Sequence, residues 1–367
     1  MIMAFVVAPK ETVSKSERRH LATKPELTVE NIFDETFMEK TEEYLLDHFP
    51  FRDALRRIKA YFAYDVLQQK QNNDIYVAKG HASKLEYPLK EASVKRLADK
   101  MESLRERYFN DSKVYYGVIP DKNMFLAEDL GYPYIRYDEI VDGLNGYLDG
   151  ADYVNIDLLS ELTIDDYYRT DTHWKQENLL GVAQTVADTL GVGQNVNLSN
   201  NNFSVNEIKD FYGVYYGQSA LPMEPDTINY LTNDVIESAY VWNIEENMEA
   251  GTVIMPEDEG AVLKPVYQLD KLEDGASLDK YDIYLGGAAA LEVIKSPKAA
   301  TDRHLIIFRD SYTSSLAPLL LEAYGEIDLI DLRYISSDLV GDYVDFEGAD
   351  ILFLYGVAVV NGAAVLK

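Results

Sequence analysis

Three short, mainly apolar runs near the C-terminus restrict the fold more than any other feature. They are HLIIF (His304 to Phe308), EIDLIDL (Glu326 to Leu332) and DILFLYG (Asp350 to Gly356). Each is too short for a buried helix, and HLIIF and DILFLYG are too apolar for a strand with one wet face. Segments of helical composition separate them: SYTSSLAPLLLEAYG, read as a helix ending at Gly325, and a piece near 337–346. Apolar strands alternating with helices predict a parallel sheet covered on both faces. VYYGVIP (Val114 to Pro120) and DYVNID (Asp152 to Asp157) extend the pattern upstream, with helices expected over 90–109, 137–148 and 175–190.

The N-terminal third reads differently. Residues 1–25 read as an exposed leader, and apolar Met1 to Val7 as the end of a truncated anchor or signal segment, or a short terminal strand. Helix is expected from Glu26 to Tyr64, interrupted at HFPFRD (His48 to Asp53), because a proline disfavours helix at the residue before it. Residues 73–87 read as a hairpin turning at Lys79-Gly80. Residues 195–300, rich in Asn, Gly and Tyr, read as a β-rich, mostly antiparallel insertion. The domain expectation is a leader (1–25) and a single domain (26–367), with a helical extension and hairpin over 26–110.

Composition narrows the function. The 34 basic and 63 acidic residues leave a net charge of −29, which repels phosphate backbones and argues against nucleic acid. The chain has no cysteine, so disulfides, thiolate metal sites and a cysteine nucleophile are excluded. Neither GxGxxG nor GxxxxGK[ST] occurs, and no cofactor is implied. The 28 tyrosines suit either a sugar-binding cleft or half-buried structural positions.

Two segments carry candidate chemistry. In HLIIFRDSYTSSL, Ser311 follows the end of a buried strand, where ligands bind open α/β sheets. Asp310 or Ser311 there could equally be a helix N-cap. In YYRTDTHW, His173 is the one histidine of five that combines Asp at i−2, a loop position and a neighbouring aromatic. A serine hydroxyl needs a base to act as a nucleophile, histidine has the pKa for that task, and a carboxylate can fix its tautomer. Asp171 or Thr172 capping a helix, with His173 and Trp174 packed, is the structural alternative. Asp171 and His173 as metal ligands is a further one, without recognisable metal spacing; no metal is expected.

Taken together, the segments SERRHLATKP, YLLDHFPFRDAL, YYRTDTHWKQENLLGVA, IIFRDSYTSSLAPLL, IDLIDLRYI and DILFLYG resemble the DHHW-type bacterial proteins. These are relatives of the alginate O-acetylation proteins within the SGNH hydrolase superfamily. The family's Asp-x-His element falls on Asp171 and His173, and its Asp-Ser element on Asp310 and Ser311. Asp-x-His precedes the serine, the reverse of ordinary SGNH hydrolases, as in the permuted alginate-acetylation branch. The resemblance implies a three-layer α/β/α sandwich with a Ser311–His173–Asp171 triad. It implies an O-acyl esterase or O-acetyltransferase of the cell envelope, acting on a polysaccharide with an acyl donor, in company with membrane-bound acyl-transfer machinery. A catalytically inactive glycan-binding or assembly protein is the alternative. Two positions depart from the pattern: Arg309 stands where a Gly-Asp-Ser block has glycine, and Thr172 at the second letter of the DHHW name. Arg309, Tyr334 and Asn361 are the candidate oxyanion or substrate contacts. Gly286 and Gly287 lie in a segment that could approach the site.

Overall fold

The computed structural model describes residues 11–14, 16–26, 36–148, 152–249, 251–273 and 276–367. Met1 to Val7, and the anchor reading placed on them, lie outside the described residues. The chain divides into two compact units. The first comprises the chain to Lys84 with Arg169–Thr172 and Asp210–Asp226; the second comprises Leu85–Tyr168, His173–Lys209 and Thr227–Lys367.

The second unit is built on an eight-stranded sheet. Its strands are β1 (Val114–Ile119), β2 (Tyr153–Ile156), β3 (Tyr240–Asn243), β4 (Leu263–Pro265), β5 (Leu291–Lys295), β6 (His304–Arg309), β7 (Glu326–Ile330) and β8 (Asp350–Gly356). Their order across the sheet is β4-β3-β5-β7-β6-β8-β1-β2. The five strands from β7 to β2 are mutually parallel. The other three add antiparallel to one edge. The fold is therefore α/β with a mostly parallel sheet.

The apolar runs take the centre, as their composition requires. Leu305, Ile306, Ile307 and Phe308 of β6 are all fully buried. Phe308 pairs in register with Phe353 of β8, and their rings stack with centroids 4.4 Å apart. Burying one such side chain contributes about 1.5–3 kcal/mol. Helix α1 (Glu91–Tyr108) buries Val94, Leu97, Ala98, Met101 and Leu104, the three-and-four spacing of one helix face. It carries Glu91 in its first turn and Arg105 and Arg107 in its last, both matched to the helix dipole. Helices α2 (Asn123–Leu130), α3 (Tyr137–Tyr147) and α4 (Leu180–Thr189) complete the long helical elements of this unit.

Several elements differ in extent from the sequence reading. The helix expected after Ser311 is α-helical only over Thr313–Leu316 and then 3₁₀ over Ala317–Leu320, because Pro318 has no N–H to continue the ladder. The helix expected from 175 starts with a 3₁₀ turn and becomes α-helical at Leu180. The piece near 337–346 is a single 3₁₀ turn, Val340–Asp342. Within 195–300, β3, β4 and β5 are antiparallel strands of the central sheet's own edge.

In the first unit, helices Thr36–Asp47 and Arg52–Tyr61 flank the expected break. The hairpin pairs Ile75–Ala78 with His81–Lys84. Lys79 and Gly80 both take positive φ, 48° and 81°, which a two-residue type I′ turn requires. The end of the stretch read as an exposed leader is built into this unit. Val13–Ser14 pairs with Arg19–His20, and Glu17 bridges Arg52 and Arg56 at 2.5 and 3.2 Å.

Candidate active site

Ser311 sits two residues beyond the carboxyl end of β6. The turn that presents it is held by Asp310, whose carboxylate accepts from the Tyr312 N–H at 3.1 Å and the Gly356 N–H at 2.7 Å. The second bond ties the end of β6 to the end of β8. A Cβ on Gly356 would meet both Asp310 and the Tyr312 ring at 3.1 Å, so a larger residue here would have to push one of them aside. Burial pushes the Asp310 carboxyl above its ordinary value, and the Gly356 N–H opposes that shift. The helix that follows, Thr313–Leu316, has no side-chain cap, so Ser311 is not spent on capping and its side chain is left for another partner.

That partner is His173. Its Nε2 lies 2.8 Å from Ser311 Oγ. The two residues are 138 positions apart in the chain, and both belong to the second unit. The loop bearing the histidine is closed by the Tyr167–Trp174 bridge and by the Tyr168 N–H donating to the His173 carbonyl at 3.1 Å. Trp174 anchors it: the indole N–H is 3.0 Å from both the Tyr312 carbonyl and Ser315 Oγ. Gln176 adds a second tie, donating to the Ser315 carbonyl at 2.8 Å. The motif's tryptophan therefore fixes the histidine segment to the serine segment.

The imidazole is gripped by two tyrosines. Tyr281 stacks on it, ring centroids 3.9 Å apart and planes within 8°, and Tyr312 meets it edge-on at 5.0 Å. The Tyr281 hydroxyl donates to Ser315 Oγ at 2.9 Å, so its ring is fixed at both ends. Sequence reasoning missed Tyr281, since nothing in the 195–300 segment singles it out among 28 tyrosines. Among the described residues no protein acceptor takes the Ser311 N–H.

Asp171 is completely buried. It accepts the Val214 N–H at 2.7 Å, and Arg18 Nη2 lies 3.4 Å from the same oxygen. Gly213 packs against it so closely that a Cβ would stand 2.3 Å from Asp171 Cβ. Neither Asp171 nor Thr172 caps a helix, because the following turn begins at Gln176 without a side-chain cap. Thr172 Oγ1 instead receives the Tyr215 hydroxyl at 3.1 Å.

The candidate oxyanion residues have other engagements. Arg309 is fully buried; its guanidinium pairs with the buried Glu292 of β5 and donates to Ser314 Oγ at 3.2 Å. Its guanidinium is thus committed to Glu292 and to the turn that follows Ser311. Asn361 is likewise occupied: its amide donates to Glu86 and the Pro88 carbonyl, and its oxygen accepts the Lys90 N–H at 2.7 Å. It brackets the 86–90 segment to the chain end. Tyr334 is half exposed, with Arg333 over its ring at 5.5 Å. Gly286 and Gly287 take positive φ, 93° and 105°, and pack against Gln268 and Asp282. Among the described residues, the group of three able to hold a metal is His304, Glu326 and Asp328, not Asp171 and His173. His304 faces Asp328 at 3.1 Å, and Glu326 pairs with Lys295.

The Glu292–Arg309 pair makes stability depend on pH. Burial pushes the Glu292 carboxyl up to about 7, against the pull of Arg309. A carboxyl raised on folding keeps its proton in the folded chain after the unfolded chain has lost it. Its contribution is therefore full below the unfolded value of 4.5 and is lost as pH rises through about 7. Glu292→Gln removes this dependence. Urea unfolding is expected to show the native protein's advantage over the variant shrinking between about pH 5 and pH 8, by a few kcal/mol at most.

Fold and site together describe an α/β protein with a serine held against a histidine at the carboxyl end of a parallel run of strands. Solved structures share this fold. A DHHW family protein from Eubacterium siraeum aligns with TM-score 0.60 and 20% identity, over 80% of this chain and 94% of that one. PatB1 from Bacillus cereus, solved with a sulfonyl adduct, aligns with TM-score 0.55 and 16% identity, over 78% and 95%. No family model matches the chain, and no curated protein matches it by sequence.

Proposed function

We propose that this chain is a serine-dependent O-acyl esterase or O-acetyltransferase that acts on a cell-envelope polysaccharide. The observation that carries the reading is the 2.8 Å contact between His173 Nε2 and Ser311 Oγ, in a histidine held on two sides by tyrosine rings. A serine so paired is the reactive half of acyl-transfer chemistry.

In the proposed reaction His173 Nε2 takes the Ser311 proton as Oγ bonds the acyl carbon of the donor. The oxyanion that forms is received by the Ser311 N–H. Its collapse breaks the ester bond, and the leaving alkoxide recovers the proton from His173. A second hydroxyl then repeats the sequence on the acyl-serine. Water gives free acid, whereas a sugar hydroxyl gives a new ester. Asp171, two residues before His173 and fully buried, is the proposed carboxylate that holds the imidazole tautomer. The sulfonyl adduct of PatB1 supports the same class of chemistry, because sulfonyl electrophiles trap activated nucleophiles.

The proposed location is extracellular or in the envelope. No described helix is long and apolar enough to cross a membrane. The proposed partners are the polysaccharide, an acyl donor and membrane-bound acyl-transfer machinery. Incubation with a chromogenic acetyl ester and an oligosaccharide acceptor tests the reaction. Acetate release or acetylated sugar is expected, and both are expected to vanish in Ser311→Ala. Turnover that survives in that variant would reject the assignment.

A further inference from the structure

The first unit carries an amphipathic helix whose apolar stripe faces outward. In the segment beginning at Arg52, the side chains turned to the protein are Arg52, Arg56, Ala60 and Ala63. Arg52 and Arg56 reach Glu17, and Arg56 also donates to the Gly217 carbonyl at 2.7 Å. The apolar residues Phe51, Leu55, Ile58 and Phe62 recur at four, three and four positions and form one stripe. All four are exposed, Phe51 by 80% and Ile58 by 61%. The preceding helix, Thr36–Asp47, adds Met38 at 70% and Leu46 at 61%.

Eleven large apolar side chains between Met38 and Leu67 are exposed in this way. If each leaves roughly half of its area in water, the patch is on the order of 1,000 Å². Monomeric proteins rarely present contiguous apolar surface of that size. A stable interface needs about 800 Å² from each partner.

The charges indicate the occupant. Helix Thr36–Asp47 exposes Glu39, Glu42 and Glu43 beside Lys40. Residues 52–59 expose Arg57 and Lys59 against Asp53, since Arg52 and Arg56 are turned inward onto Glu17. Two apolar helices of opposite charge excess on one chain are self-complementary. About a twofold axis, the acidic helix of each copy meets the basic helix of the other, so both charge sets and both apolar faces are covered at once. An anionic bilayer would match the basic helix alone.

We infer that this surface binds a second copy of the chain, giving a symmetric dimer through helices 36–47 and 52–62. Sedimentation velocity of the full chain from about 1 to about 100 μM tests it. The mass is expected to rise from 41.7 kDa toward twice that value. Ile58→Glu is expected to hold the chain monomeric, with an unchanged circular dichroism spectrum because the site is exposed. Arg57→Glu with Lys59→Glu is expected to weaken the dimer at least about tenfold. Adding Glu42→Lys and Glu43→Lys is expected to restore it. A monomer at every concentration overturns the inference, and so does a dimer unmoved by Ile58→Glu. A monomer that floats with phosphatidylglycerol vesicles, and stops floating on Ile58→Glu, assigns the surface to lipid and overturns it as well.

Discussion

Replacing His173 with alanine is expected to lower acyl-ester turnover by about 10⁴-fold or more while the protein stays folded. The size follows from what the imidazole does. Without it Ser311 must attack as a neutral hydroxyl, because no other titratable group is hydrogen-bonded to its Oγ among the described residues. The vacated space lies between Tyr281 and Tyr312, which are tied down independently: Tyr281 by Ser315, and Tyr312 by Asp310 and Trp174. Collapse of the pocket is therefore limited, and loss of activity should greatly exceed loss of stability. The check is steady-state turnover beside a urea titration of the same preparation. Ser311→Ala is expected to match His173→Ala, and the double variant to be no worse than either, since a nucleophile and its base act as one unit.

Arg309→Met is expected to have the opposite signature: a large loss of stability, with catalysis affected through the turn it supports. Glu292 and Arg309 are both fully buried and pair across β7, which lies between β5 and β6 in the sheet. Removing one member of a buried ion pair strands the other charge, at a cost of about 3–5 kcal/mol. Here the stranded group is a carboxyl already raised by burial, and without Arg309 its value rises further. The loss should therefore be smaller near pH 5, where Glu292 is protonated, and greater near pH 8. Changing Glu292 to leucine in the same chain removes the stranded charge and is expected to recover much of the stability. Denaturant unfolding of the single and double variants at the two pH values checks both statements.

The contact between Ser311 and His173 was legible only through the joint resemblance, because each local pattern taken alone, a strand-to-turn junction for Ser311 and an Asp-x-His-Trp run for His173, reads as well as a helix cap. The parallel strands were legible directly. A strand buried on both faces is written as a continuous apolar run, and β6 and β8 are such runs. The antiparallel edge was harder. Leu263–Pro265 is three residues long, and Glu292, a charged residue in the middle of β5, breaks the apolar signal of LEVIK. Its partner is Arg309, a contact that no local pattern encodes. The same reason hid Tyr281, which reaches His173 from a segment more than a hundred residues downstream. Arg309 and Asn361 were singled out for position relative to the motif, yet position along the chain does not say what a guanidinium or amide will meet once buried. In both cases the nearest unpaired partner won: Glu292 for one, the 86–90 segment for the other.

The central claim is that Ser311 is a nucleophile activated by His173. Fluorophosphonate labelling, with the modified peptide located by mass spectrometry, tests it most directly. The account predicts a single adduct on Ser311, absent in Ser311→Ala and slowed by orders of magnitude in His173→Ala. A folded protein that takes no label, or takes it equally well without His173, would contradict it.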